Sequence, residues 1–186
     1  MDDKALMETI VGREVLYDGK VVHLEKWDVR LPDGRMAVRE AINHVGAVAV
    51  VACDAQGRIA MVRQCRVVLG RALDEIPAGK LDAKSEDHLL AAQRELMEET
   101  GLTARNWRHM TDLITTPGFC DEQIALYLAT GLTEGKTHFD EDEFLAVSRV
   151  PAAELYQKIY AGQLNDGKTV CALLFAKALL EEMKLI

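Results

Sequence analysis

The spacing of apolar residues changes period along the chain, and each change marks an element. Three short runs, 13–17, 20–30 and 35–41, are alternating or β-branched, and Asp18-Gly19 and Leu31-Pro32-Asp33-Gly34 separate them. Both separators carry hairpin turn chemistry, so the region is predicted to be a small antiparallel meander. Three strands bury little on one face, which predicts that this sheet packs against something further, and dimerisation is expected. Residues 46–51 form an unbroken apolar run, followed by a turn at Asp54-Ala55-Gln56-Gly57 and a second run at 59–63. Unbroken runs of this length fit strands buried on both faces of a mixed sheet.

At residue 85 the period shifts to that of a helix. Ser85 is the predicted N-cap, Glu86 and Asp87 put negative charge in the first turn, and Gly101 stands where a left-handed residue closes a helix, so the spacing predicts a helix over 86–99. Leu89, Leu90, Leu96 and Met97 are its predicted core face. Runs 107–114, 124–129 and 144–150 read as strands, and two helices close the chain, 152–160 behind Pro151 and 169–183. Strands, one helix, strands and then helices make an α+β or mixed αβα arrangement rather than a repeated βαβ pattern. Residues 1–42 are read as a separate group of strands and 43–186 as the main domain.

Composition narrows the function. A chain of 186 residues with 49% hydrophobic and 28% charged residues is an ordinary globular protein. Its net charge of -8 argues against DNA or RNA as the main partner but leaves room for a small phosphorylated ligand, provided divalent cations stand between carboxylates and phosphates. No uncharged stretch approaches the roughly 20 residues that cross a bilayer, and Met1-Asp2-Asp3-Lys4 is unlike the start of a signal peptide, so a cytoplasmic protein with no membrane partner is expected. Cys53, Cys65, Cys120 and Cys171 form no Cys-x-x-Cys pair and are expected to be reduced, buried thiols.

The chemistry concentrates in the helix. Glu95, Glu98 and Glu99 fall at i, i+3 and i+4 and share one face, where like charges cost a few tenths of a kcal/mol per pair unless something compensates. A hard divalent cation compensates strongly, because it takes oxygen ligands from a few carboxylates and completes its shell with water and phosphate. A Glu-rich face is ordinarily just solvated, but here Arg94 precedes Glu95 and lies four residues from Glu98, where it can orient the cluster through ion pairs.

The stretch from Gly79-Lys80-Leu81-Asp82-Ala83-Lys84-Ser85-Glu86, through seven residues, to Arg94-Glu95-Leu96-Met97-Glu98-Glu99-Thr100-Gly101-Leu102 resembles the Nudix box of the Nudix hydrolases. Six residues rather than the family's five separate Gly79 from Glu86, so the loop before the helix is one residue longer, and the Ala78 carbonyl is where the effect would be felt. The resemblance implies a Nudix αβα sandwich with a mixed sheet, to which the small N-terminal antiparallel sheet is added. It implies hydrolysis of a nucleoside diphosphate linked to a second group, with Mg²⁺, or alternatively Mn²⁺. Glu95 and Glu99 would be the principal metal ligands, Glu98 an auxiliary one and the Ala78 carbonyl a further one, with Glu99 and Arg94 counted among the catalytic residues.

Pro117-Gly118, fifteen residues beyond Leu102, with Arg63-Gln64-Cys65-Arg66 and the run from Glu75 to Leu81, resembles the ADP-ribose pyrophosphatase and nucleoside diphosphate sugar subfamily. That likeness implies a homodimer in which the N-terminal sheet is exchanged between subunits and Trp27 stacks on the base. Arg63 and Arg66 would hold phosphate oxygens, with Glu75 accepting from base or ribose and Pro117 and Gly118 approaching the ligand. Glu141, in the acidic run 140–143, would be the general base and Glu143 would assist at the metal. Two rival readings are a Nudix enzyme acting on oxidised nucleoside triphosphates and a sensing domain that has kept the fold without catalysis.

Overall fold

The structure is a computed structural model and describes residues 3–135 and 144–186. Its contacts divide the chain into two units, Met1–Val45 with Ile114–Gln123, and Gly46–Leu113 with Ile124–Ile186.

The first unit is built on a three-stranded antiparallel sheet in the order β1 (Thr9–Asp18), β2 (His23–Arg30), β3 (Met36–Asn43). Gly34, at a φ of 88°, closes the second turn in the left-handed region that glycine occupies without strain. β1 begins four residues earlier than the apolar run suggests, carried past two register irregularities. Only Val29 and Ala41 of these strands are fully buried, while Ile10, Val11, Val15, Leu16, Tyr17 and Val38 stay exposed. The segment 114–123, which the sequence reading leaves in the main domain, belongs with this sheet, because Ile42 N donates to the Phe119 carbonyl and His44 N to Asp121.

The second unit centres on β4 (Ala47–Cys53), which lies parallel to β9 (Gln123–Glu134) and antiparallel to β5 (Arg58–Arg66). β8 (Leu102–Ile114) and β10 (Leu145–Pro151) complete the path β10-β5-β4-β9-β8, and two short strands that the apolar pattern does not reveal, β6 (Arg71–Glu75) and β7 (Ala78–Lys80), pair with β5 and β4. All of β4 is buried, as an unbroken apolar run requires. Ala47, Ala49, Val51 and Cys53 form one core with α2 (Ala152–Tyr160) and α3 (Gly167–Glu182). The alternate residues turn to the other face, where α1 (His88–Thr100) packs on β4. This is an αβα sandwich within an α+β chain.

Three expectations need correction. The helix starts at His88 and its N-cap is Asp87, not Ser85; one Asp87 oxygen accepts from the N–H groups of both Leu89 and Leu90. The buried stripe of α1 is Ala91, Ala92, Leu96 and Glu99, while Leu90 and Met97 are exposed. Of the four cysteines, all free, only Cys53 is buried, and Cys65 and Cys171 are exposed.

Candidate active site

Backbone positions the glutamate helix. β7 pairs with β4 through Val48↔Gly79 and Ala49↔Ala78, and α1 packs on both strands. Ala78 N donates to Glu99 Oε2 at 3.0 Å, and Glu99 is buried. A Cβ on Gly79 would lie 2.1 Å from the carboxyl carbon of Glu95 and 2.2 Å from each of its oxygens, so the Glu95 carboxylate rests on the Gly79 α-carbon. Two carboxylates one turn apart are thus held at one stretch of backbone, one by a hydrogen bond and one by the space a missing side chain leaves.

Arg94 ties the rest together. Its Nη1 donates to Glu95 at 2.7 Å and to Glu98 at 3.3 Å, and its Nη2 to Glu86 at 3.4 Å and to the Lys80 carbonyl at 3.3 Å. Burial works against the charge of Arg94, but Glu95, Glu86 and Asp82 outweigh it and hold the guanidinium above its ordinary range.

Among the described residues no three His, Cys, Asp or Glu side chains converge as a preformed metal cluster. Mg²⁺ does not need one, since it binds through one or two carboxylates and takes water and phosphate oxygens for the remainder. Glu95, Glu98 and Glu99 offer only hard oxygen donors, and the Gly79 cradle keeps one of them against the backbone, so these residues fit a divalent cation. Glu141 and Glu143 lie outside the described residues.

A second charged group stands on the end of β6. Glu75 is 1% exposed, accepts two bonds of 2.7 Å from Nε and Nη2 of Arg66, and also pairs with Lys168. Burial raises its pKa, but the bonds from Arg66 and Lys168 prevail and hold the carboxyl below its usual range. In this arrangement Glu75 is engaged by two cations. Arg63 is placed apart from Arg66. Its neighbours Ile59 and Met61 point into the α2 and α3 core, so Arg63 leaves β5 on that side, where it pairs with Asp74 at 2.7 Å, and Arg66 leaves on the other.

Within the N-terminal unit, Trp27, Pro117 and Gly118 line one cavity of about 360 Å³ with Val29, Arg39 and Phe119. The Trp27 Nε1–H donates to Glu25 at 2.5 Å and the Arg13 guanidinium lies 4.9 Å from the ring centre. A larger cavity, about 690 Å³, opens around Cys53 and Thr130 at the far end of β4 and touches none of Glu95, Glu98 and Glu99.

Lys168 and Asp166 are absent from the sequence reading, which has Thr169 only as the start of the last helix. Asp166 three residues before Thr169 is an N-cap spacing and would have moved the helix start to 167, but nothing local marks Lys168 as a partner of Glu75.

Glu95 and Glu98, which Arg94 orders, and Glu99 stand on one helix of an αβα sandwich beside a glycine cradle, and together with the likeness to known proteins that follows they make the chain a hydrolase of the pyrophosphate bond. The NUDIX domain model matches residues 43–173, and the chain belongs to the Nudix family, whose members use divalent metal ions. An ADP-ribose pyrophosphatase of Bacillus subtilis (strain 168) is 42% identical over 172 residues, covering 91% of this chain and 92% of that protein. A protein of Bacillus methanolicus named methanol dehydrogenase activator is also 42% identical, over 171 residues and 91% and 92% of the two chains. A solved structure described as an ADP compounds hydrolase matches the fold with a TM-score of 0.85 at 22% identity, over 97% of this chain and 98% of that one.

Proposed function

We propose that this chain is a homodimeric pyrophosphatase of the cytoplasm, dependent on Mg²⁺ or Mn²⁺, that splits ADP-ribose or a related nucleoside diphosphate sugar into a nucleoside monophosphate and a sugar phosphate. The observation that carries the chemistry is the cradle at Ala78 and Gly79, on which Glu99 and Glu95 rest. The substrate class rests on the relative named ADP-ribose pyrophosphatase. A bound divalent cation would neutralise charge developing on the pyrophosphate and make its water more acidic. Glu95 and Glu99, with Glu98 and the Ala78 carbonyl, would hold that cation, and Arg94 orients Glu95 and Glu98. Arg66 binds a phosphate oxygen through its guanidinium fork. Trp27, Pro117 and Gly118 take the base in the cavity they line. Glu141 accepts the proton of the attacking water, and Glu143 assists at the cation.

The exposed apolar residues of β1 and β3 support the homodimer. Light scattering at micromolar concentration should give twice the mass of one chain. The decisive test of function is chromatographic identification of products from a panel of nucleoside diphosphate sugars with Mg²⁺. AMP and ribose 5-phosphate from ADP-ribose are expected. No hydrolysis of any sugar nucleotide, or release of pyrophosphate from oxidised nucleoside triphosphates alone, would overturn the substrate class.

A further inference from the structure

Lys168 begins α3 far from the glutamate helix in sequence, yet it meets Glu75, whose side chain is 2% exposed. An isolated carboxylate so buried is costly, and Arg66 alone already supplies an opposite charge through two bonds. A second cation therefore calls for an explanation. Lys168 also lies 3.0 Å from Asp166, but Asp166 is the N-cap of a 16-residue helix and accepts from Thr169 N at 3.0 Å and from the Thr169 hydroxyl at 2.6 Å. The positive end of the helix dipole opposes its charge. Arg66 and Lys168 thus both hold the one Glu75 carboxylate, and Lys168 meets it on an oxygen that Arg66 also uses. The same helix start fixes the backbone leading to the cradle, because Ile76 N donates to Thr169 Oγ1 at 3.0 Å and Ala78 N to Glu99.

We infer that Lys168 is a positioning residue for the reaction: it shares Glu75 with Arg66, so that Arg66 is held in place without being neutralised and keeps charge for a substrate phosphate. The inference rests on the reading of Arg66 as the phosphate-binding arginine. The guanidinium of Arg66 is held above its ordinary range first by the bond to Glu75, against burial, and Asp166 and then Glu99 add to the field there.

The test is calorimetric binding of ADP-ribose to the full-length protein in EDTA, where no turnover occurs, with adenosine as the phosphate-free control. Lys168→Met should weaken ADP-ribose binding on the order of tenfold, the scale of losing an outer-shell partner, leave adenosine binding unchanged and raise KM more than it lowers kcat. Lys168→Arg should restore most of the loss. Should Lys168→Met fail to fold, Asp166→Asn decides: it keeps the cap and removes a negative charge, so it should tighten ADP-ribose binding. Equal weakening of adenosine, an unchanged ADP-ribose affinity in Lys168→Met, or weaker binding in Asp166→Asn would overturn the inference. Arg66→Ala separates the two levels. If it weakens ADP-ribose binding while Lys168→Met does not, only the role of Lys168 falls; if it has no effect, the phosphate reading of Arg66 falls and the inference with it.

Discussion

Replacing Gly79 by alanine should separate activity from stability, because the nearest atoms the added methyl meets are those of the Glu95 carboxylate. The new Cβ would lie 2.1 Å from the Glu95 carboxyl carbon, whereas real Cβ contacts stay beyond 3.0 Å, so something must retreat by about 1 Å. The part able to move is the Glu95 carboxylate, at the end of a flexible side chain; β7 is held by its ladder to β4. The backbone of Gly79 is not in the left-handed region, so alanine brings no strain of its own there, and its smaller unfolded-state entropy stabilises by about 0.4–1 kcal/mol at a compatible site. A displacement of about 1 Å in a reacting group costs on the order of a hundredfold in rate. Gly79→Ala is therefore expected to lose about two orders of magnitude in kcat/KM, equivalent to ~2.7 kcal/mol of transition-state stabilisation, with a melting temperature within a few degrees of wild type. The assay is ADP-ribose hydrolysis across a Mg²⁺ titration, beside a thermal melt. Activity within threefold of wild type would show that Glu95 does not work from its place on Gly79.

Glu99→Gln keeps an oxygen that can accept from Ala78 N, so kcat should fall by orders of magnitude while the melting temperature holds; near-normal turnover would remove Glu99 from the mechanism. Glu141→Gln should lower kcat strongly and leave metal binding, followed by Mn²⁺ titration, little changed; a change confined to KM would move the general base elsewhere. The depressed pKa of Glu75 makes its contribution to stability full above the unfolded value, 4.5, and lost as pH falls below it through the lower folded value. Glu75→Gln should accordingly cost about 2 kcal/mol at pH 7, as charge-assisted bonds to Arg66 and Lys168 are lost, and lose less than wild type between pH 5 and 3 in urea melts; parallel pH profiles would refute the coupling.

The helical half of the site was legible because like charges at three- and four-residue spacing demand compensation wherever the helix lies. The core face of α1 was not, and the reason is physical. The stripe against β4 is made of Ala91 and Ala92, whose small side chains let the helix approach the sheet, and of Glu99, a charge where periodicity looks for a leucine. Leu90 and Met97 score as core residues by type alone. Functional sites are where local rules are broken, and a buried glutamate is such a break. The short strands β6 and β7 escaped because five residues that include Arg71, Asp74 and Glu75, and three that include Gly79, carry no apolar alternation. Lys168 was invisible for a different reason: its partner Glu75 lies 93 residues away, and no local pattern encodes such a pair.

The longer loop illustrates how tertiary anchoring overrides spacing. Anchors flank the longer loop on both sides. Before the loop, Ala78 and Gly79 are locked into the ladder with β4, and Leu81, itself buried, donates its N–H to the Gly46 carbonyl at 3.1 Å. After it, Asp87 caps α1. Between these points the chain folds back on itself: Glu86 N donates to the Ala83 carbonyl at 3.0 Å, and Asp82 N to Glu86 Oε2 at 2.6 Å. That leaves the other Glu86 oxygen for Arg94 at 3.4 Å. The insertion is absorbed as a local turn over residues 82–86, and it also accounts for the late start of the helix, since Ser85 is spent inside that turn and Asp87 takes over as the cap.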